Sequence, residues 1–490
     1  MTGPMSAHTS AEVRERLGHP VIDSDGHLVE YLPLVGDLVA EEAGPAAAQR
    51  FDAIFDGLAA VGRIGPPARR RLGAMRPPWW AVSASSLDRA TAMFPGLLRN
   101  RLDEMGVDFA FLYPTFGMAA LAVPDPEFRT VAARAFNRAA LEVCAGARDR
   151  VEPVAVIPAY TPSEATEALA HVAELGMKAV VLTGLVPRTI SPASSGPASV
   201  YDSLGHGSTH DYDPVWRTCE QLELMPTFHS ATFGFGTRAS PANYMFNHVG
   251  GFAAGAEAVA RSLLFGGVPV RFPALRFAFM EGGVAWAVSL RSDLIRHMEL
   301  RAGEAVACYN PDRLDRQLLA DCLASHGGDA LRARADRLGE ALGPLAQPVA
   351  DGDAVDEFAE SGLEGPDDVR EVFTTQFFAG CEADDPLTCL AFDSRFSAGG
   401  RLGALFSSDL GHWDAPEAAL LLTEAWDQVE RGLLTSDQLR AITFEDPIRA
   451  WAGSGLGPFR ATALEAEVQR IQGDGSKLAA RSLVAIQENL

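Results

Sequence analysis

Cysteine is scarce in this chain. Six are spread over 490 residues (Cys144, Cys219, Cys308, Cys322, Cys381, Cys389), with no Cys-x-x-Cys pair. This argues against a disulfide framework and against cysteine zinc knuckles. Long apolar runs are missing as well. No stretch is long enough to span a bilayer, and the opening M-T-G-P-M-S-A-H-T-S lacks the charged-then-apolar order of a signal peptide. Positive charge is outnumbered: 41 Lys and Arg stand against 64 Asp and Glu, a net charge of −23. A general surface of that sign repels nucleic acid and anionic membrane. No G-x-G-x-x-G follows the first strand, which argues against a dinucleotide site. The expectation is a cytoplasmic protein with a small-molecule substrate and no nucleic-acid or membrane partner.

Apolar residues are plentiful, at 47%, so the chain can bury a large core. Residues 1–19 read as a loose polar arm. A short strand at Val21–Asp23 follows, then an excursion over about 31–100 that reads as an inserted cap, with a basic cluster at Arg69–Arg71 and P-P-W-W at 77–80. Apolar runs then alternate with helical patterns. Strands are expected at Val107–Tyr113, Val151–Ile157, Lys178–Leu182, Met225–His229, Leu275–Met280, Thr375–Ala379 and Leu402–Ser407. Gly106 reads as a helix C-cap, and residues 184–212 read as a long loop. Residues 284–370 read as a second, helical insertion, and 461–490 as a helical tail. About eight apolar strands in βα repeats predict an α/β fold, a (β/α)8 TIM barrel over 20–460; a doubly wound open sheet is the alternative.

In such a barrel the reactive side chains stand where strands end. The first strand delivers Asp25 and His27, two apart and so facing one way on extended chain. Three later strands end in His229, in Glu281 before Gly282-Gly283, and in Asp409 followed by His412. Histidine and carboxylate together are a metal-ligand set. Glu30 joins them as a ligand or as a residue that orients His27. His248, in F-N-H-V-G-G after the fifth strand, is a ligand or an acid–base group. His412 is a catalytic candidate beside Asp409. Trp79, Trp80 and Tyr113 are candidate pocket residues, Arg188 and Arg271 candidate carboxylate holders. His206 and His210 read as solvated loop residues, and Asp414 as a helix N-cap.

The stretches I-D-S-D-G-H-L-V-E, M-G-V-D-F-A-F-L-Y-P-T, Y-D-P-V-W, M-P-T-F-H, G-G-V-P-V-R-F-P-A-L-R-F-A-F-M-E-G-G and S-S-D-L-G-H-W-D cover most of the chain outside the insertions. In order and spacing they resemble the amidohydrolase superfamily, in its aminocarboxymuconate-semialdehyde decarboxylase-like branch (amidohydrolase-2). The resemblance implies a metal-dependent barrel. The family's first-strand H-x-H falls on Asp25 and His27, its fifth-strand histidine on His229, its eighth-strand aspartate on Asp409, and an acid–base histidine on Glu281. Carboxylates at two of those positions make the set harder than a simple zinc site, so zinc, manganese and iron are all candidates, as one ion or two. The implied function is a hydrolase or non-oxidative decarboxylase acting on a small organic acid, amide or lactone, with Asp409 as proton carrier. The carboxylate-rich set also admits a non-heme iron monooxygenase, and a degenerate ligand-binding barrel is a third reading. A homodimer is implied by the resemblance.

Overall fold

A computed structural model describes residues 6–78, 82–190, 198–229, 238–343, 353–396, 400–413, 415 and 417–473. In chain order the strands are β1 (Ile22–Leu28), β2 (Phe109–Pro114), β3 (Val151–Ile157), β4 (Ala179–Leu182), β5 (Val186–Ile190), β6 (Ala198–Asp202), β7 (Pro226–Phe228), β8 (Phe277–Phe279), β9 (Phe377–Glu382) and β10 (Gly403–Ser407). Eight of them pair in the order β1-β2-β3-β4-β7-β8-β9-β10, every ladder parallel. Strands such as F-A-F-L-Y-P in β2 and V-E-P-V-A-V-I in β3 are buried throughout, as a parallel sheet covered on both faces requires. Helices cover the outside, and Leu102, Val151, Leu169, Trp216 and Leu263 belong to the core packed there.

The two ends of the sheet meet at a seam. Asp409 N donates to Asp25 O at 2.9 Å, and His27 N donates to Leu410 O at 2.9 Å. Ser408 adds two bonds to the Asp23 carboxylate, from its N at 3.0 Å and its Oγ at 2.5 Å. These contacts bring the end of β10 against β1 and close the sheet into the expected (β/α)8 barrel.

Residues 31–100 hold helices Leu32–Ala43, Pro45–Arg63, Pro66–Arg71 and Ser86–Met93. Buried Arg69 ties this region down: its guanidinium donates to the carbonyls of Val61, Ile64 and Pro241. The second insertion begins with helix Ala285–Arg301 and continues in short helical pieces to Leu342. No helix among the described residues is long and apolar enough to cross a membrane.

Several elements differ from the sequence expectation. The N-terminal arm holds a helix, Ser10–Leu17, with a Thr9/Glu12 capping box; it is docked by Ser10 Oγ on Ala419 O and by an Arg14–Asp108 ion pair. The long loop 184–212 contains the antiparallel β5–β6 hairpin, held by Arg188 paired to Asp202. β9 lies later than the expected Thr375–Ala379, because Pro366–Thr375 is helical. β1 runs on past Asp23 to Leu28. After Asp414, read as a helix N-cap, come a 3-10 turn, Ala418–Leu420, and the helix Leu421–Glu430. Asp414 and its proposed cap lie outside the described residues.

Candidate active site

β1 is distorted where it carries the ligands. Asp23 pairs with Ala110 and Gly26 with Leu112, so three steps of β1 face two of β2. Such a bulge re-aims the side chains that follow it. Glycine is required at its centre, since a Cβ on Gly26 would meet Asp23 Oδ2 at 2.9 Å and Phe111 O at 3.3 Å. Asp25 and His27 then point together, and both are fully buried. At two other strand ends the backbone is left-handed at a non-glycine residue: Glu281 has φ 58° and Asp409 φ 48°. That conformation costs roughly 1–2 kcal/mol for an L-residue, and it persists only where surrounding structure imposes it. Both strained positions carry carboxylates into one site.

There the side chains converge. His27 Nε2 lies 3.1 Å from His229 Nε2, 3.1 Å from Asp409 Oδ1 and 3.7 Å from Asp25 Oδ1. His229 Nε2 lies 3.5 Å from Asp25 Oδ1 and 3.4 Å from Glu281 Oε2. Ligands held about 2.1 Å from one ion stand about 3.0 Å apart at right angles and about 3.4 Å apart at the tetrahedral angle. The observed separations match the edges of such a polyhedron. One imidazole N–H can serve only one of the acceptors around it, whereas a divalent cation satisfies all of them. Burial holds the His27 imidazole pKa well below its usual range, helped by His412 and His229, and lowers that of His229 to about 3, helped by His412. Both rings are therefore neutral, the form that ligates metal. Asp25, His27 and His229 can hold a divalent ion, and so can His27, Asp409 and His412.

His412 links the cluster to β2. Its Nδ1 lies 2.6 Å from Asp409 Oδ1 and its Nε2 lies 3.1 Å from Thr115 Oγ1. The sequence reading missed Thr115, a lone hydroxyl just beyond a strand. Asp23, buried and pushed up to about 6 by desolvation, is the other omission; it accepts from Asp25 N and from Ser408, so it holds two ligand-bearing segments together.

Other expected site residues stand elsewhere. Glu30 accepts from the amides of Phe116 at 2.8 Å and Gly117 at 2.7 Å, so its carboxylate anchors the turn after β2 and is not part of the ligand cluster. His248 stands in the wall of the same cavity, 5.6 Å from the rings of both Phe252 and Trp413; burial and the nearby His412 lower its pKa, and it is not in either ligand group. Tyr113 is fully buried against His27 and His229 and does not line the cavity. Arg188 is bound to Asp202 and Tyr212, and Arg271 to Asp213, so neither faces the site. His206 and His210 belong to the β6 side of the hairpin region, outside the cavity lining. Trp79 and Trp80 lie outside the described residues.

The cluster forms the floor of an open cavity of about 1430 Å³, which His229, Glu281, Asp409 and His412 reach from the barrel and residues of the cap region flank.

Solved structures similar to this chain include a 2,6-dihydroxybenzoate decarboxylase from Rhizobium, at 15% identity and TM-score 0.45, covering 88% of this chain and 98% of that one. Another is a 5-carboxyvanillate decarboxylase from Novosphingobium aromaticivorans complexed with manganese and 4-hydroxy-3-methoxy-5-nitrobenzoic acid, at 13% identity and TM-score 0.49, covering 92% and 99%. A third is a dihydroxybenzoic acid decarboxylase from Polaromonas with bound manganese and 2-nitroresorcinol, at 15% identity and TM-score 0.44, covering 88% and 96%. No curated protein matches the chain in sequence. The model of the amidohydrolase family matches residues 22–343, most of the chain, and takes in Asp25, His27, His229 and Glu281. The chain belongs to the amidohydrolase family of metal-dependent barrel enzymes.

Proposed function

We propose that the enzyme hydrolyses or non-oxidatively decarboxylates an organic acid, amide or lactone. The observation that carries this is the meeting of two neutral imidazoles with three carboxylates at 3.1–3.7 Å on the barrel floor. His27, His229, Asp25 and Asp409 would hold a divalent ion, with Glu281 beside them. The donor set is rich in carboxylate, which favours manganese or iron(II) over zinc. When bound, such an ion acts as a Lewis acid on a carbonyl or carboxylate oxygen.

The remaining work falls to side chains. Asp409 takes and returns the proton at its carboxylate. His412 Nδ1, 2.6 Å away, donates to that carboxylate, and Thr115 Oγ1 fixes the far side of the ring. Asp409 is thereby kept in one orientation facing the cavity.

The non-heme iron monooxygenase shares these ligands, but the family match favours hydrolysis or decarboxylation. The test is turnover under argon by the protein loaded with manganese, with released CO2 or titrated acid as readout. O2-independent turnover is expected. Turnover that requires O2 and two irons per chain would overturn it. We also infer a homodimer in the cytoplasm.

A further inference from the structure

The cavity is larger and more apolar than a single-ring acid requires. At about 1430 Å³ it exceeds the roughly 300–1,000 Å³ typical of pockets for drug-sized ligands. One wall is the cap helix Pro45–Arg63. This helix has 19 residues, yet Phe51 alone is buried. Its apolar stripe, Ile54, Phe55, Leu58 and Val61, has the spacing of one helix face and lines the cavity. Leu58 remains 48% exposed there. Ile54 and Phe55 pack in part against the core, Phe55 against the rings of Phe51, Phe116 and Phe136, whereas Leu58 and Val61 continue the stripe along the open cavity. The rest of the lining includes Phe116, in edge-on contact with Phe55 at 5.8 Å, and Met118, Val123, Phe252 and Trp413.

Several polar groups along these walls are already engaged, and Arg63 and His248 also border the cavity. Arg50 pairs with Asp125, Arg69 with backbone carbonyls, and Arg76 with Ala242 O. Asn247 exchanges both its amide groups with the Ser240 backbone. Among the described residues, what the walls offer a ligand is mainly hydrocarbon.

We infer that the substrate is an amphiphile: one carboxyl or carbonyl head seated on the His and carboxylate floor, and a large hydrocarbon body, alkyl chain or fused rings, lying along the Ile54–Val61 face of the cap. The head's placement rests on the proposed metal site; the body's placement rests on the cavity alone.

Calorimetric titration of the manganese-loaded protein tests this with three probe series. These are hexanoic to dodecanoic acids, benzoic, 2-naphthoic and 2-anthroic acids, and the 1-alkanols of the same chain lengths. Affinity is expected to rise about fourfold per methylene, or in steps with ring number, and the series that rises tells alkyl from fused-ring bodies. Leu58→Glu, at an exposed position, and Phe55→Asp are expected to flatten the slope while metal content stays constant. Affinity independent of size in all series would overturn the inference, as would an undiminished slope in both variants. A rising slope among the alkanols with no manganese bound would count against the metal centre and still support the cavity assignment.

Discussion

At the residue scale the site turns on side chains that have no other good use. His27→Ala and Asp409→Asn are each expected to lower turnover by at least about 100-fold. Metal content should fall, with a cooperative unfolding transition retained; near-normal turnover in either variant would refute the assignment. The buried imidazoles also predict a response to acid. His229 titrates near 3 when folded and His27 well below its ordinary value, whereas both take up a proton near 6.5 when unfolded. Between those values these two side chains bind more protons in the unfolded chain, so their contribution to the metal-free protein's stability is lost as pH falls from about 6.5 toward 3, while Asp23, Glu30 and Glu152, raised to about 6, 7 and 7 by burial, contribute in the opposite sense. Urea midpoints of chelated protein measure this, and the His27→Ala/His229→Ala double variant should lose less stability over that range. The pairing of Asp25 with His27 was legible because strand periodicity places both on one side. Glu30 was misleading for the converse reason: its partners are the amides of Phe116 and Gly117, about 86 positions away, and nothing local announces them. The left-handed φ of Glu281 and Asp409 was equally invisible, since neither residue type advertises it.

At the element scale, short connections were readable and long-range supports were not. Gly106 read correctly as a C-cap: it has φ 73°, and a Cβ there would meet Ser10 O at 2.6 Å and Leu422 Cδ2 at 2.7 Å. Gly106→Ala should therefore cost about 1–3 kcal/mol in denaturant midpoint, and Ser10–Leu17 should exchange amide protons faster. The docking of that helix depends on Asp108, 94 positions later, and on residues more than 400 positions later, which is why the N-terminus read as a loose arm. The cap gives the second case. Arg69 read only as part of a basic cluster, yet it is buried among three carbonyls. Arg69→Ala leaves those carbonyls without their charged donor, a loss of about 1.5–3 kcal/mol. Limited proteolysis should then cut within residues 60–78 before the barrel unfolds; uniform resistance would mean the staple is dispensable. The β5–β6 hairpin escaped notice because Ser, Gly and Pro dominate residues 184–212, and the Arg188–Asp202 pair that pins it leaves no periodic signal.

For the whole molecule, the barrel was legible because eight apolar runs alternating with helices admit few other arrangements. Its closure was not, because the seam is built from Asp23, Asp25, His27, Ser408 and Asp409, residues that read only as chemistry. Those same residues join segments 385 positions apart in the chain. An ion shared by Asp25, His27 and Asp409 would therefore act as a cross-link around nearly the entire polypeptide. By chain-entropy reasoning, closing a loop of that size restricts the unfolded ensemble by about 6 kcal/mol at most. Chelation is accordingly expected to lower Tm by several degrees, read by scanning calorimetry with and without manganese. The topology carries a kinetic corollary. The first strand emerges early in synthesis and must wait for the last before its ligands can meet, so the barrel acquires its metal grip only after the chain is nearly complete.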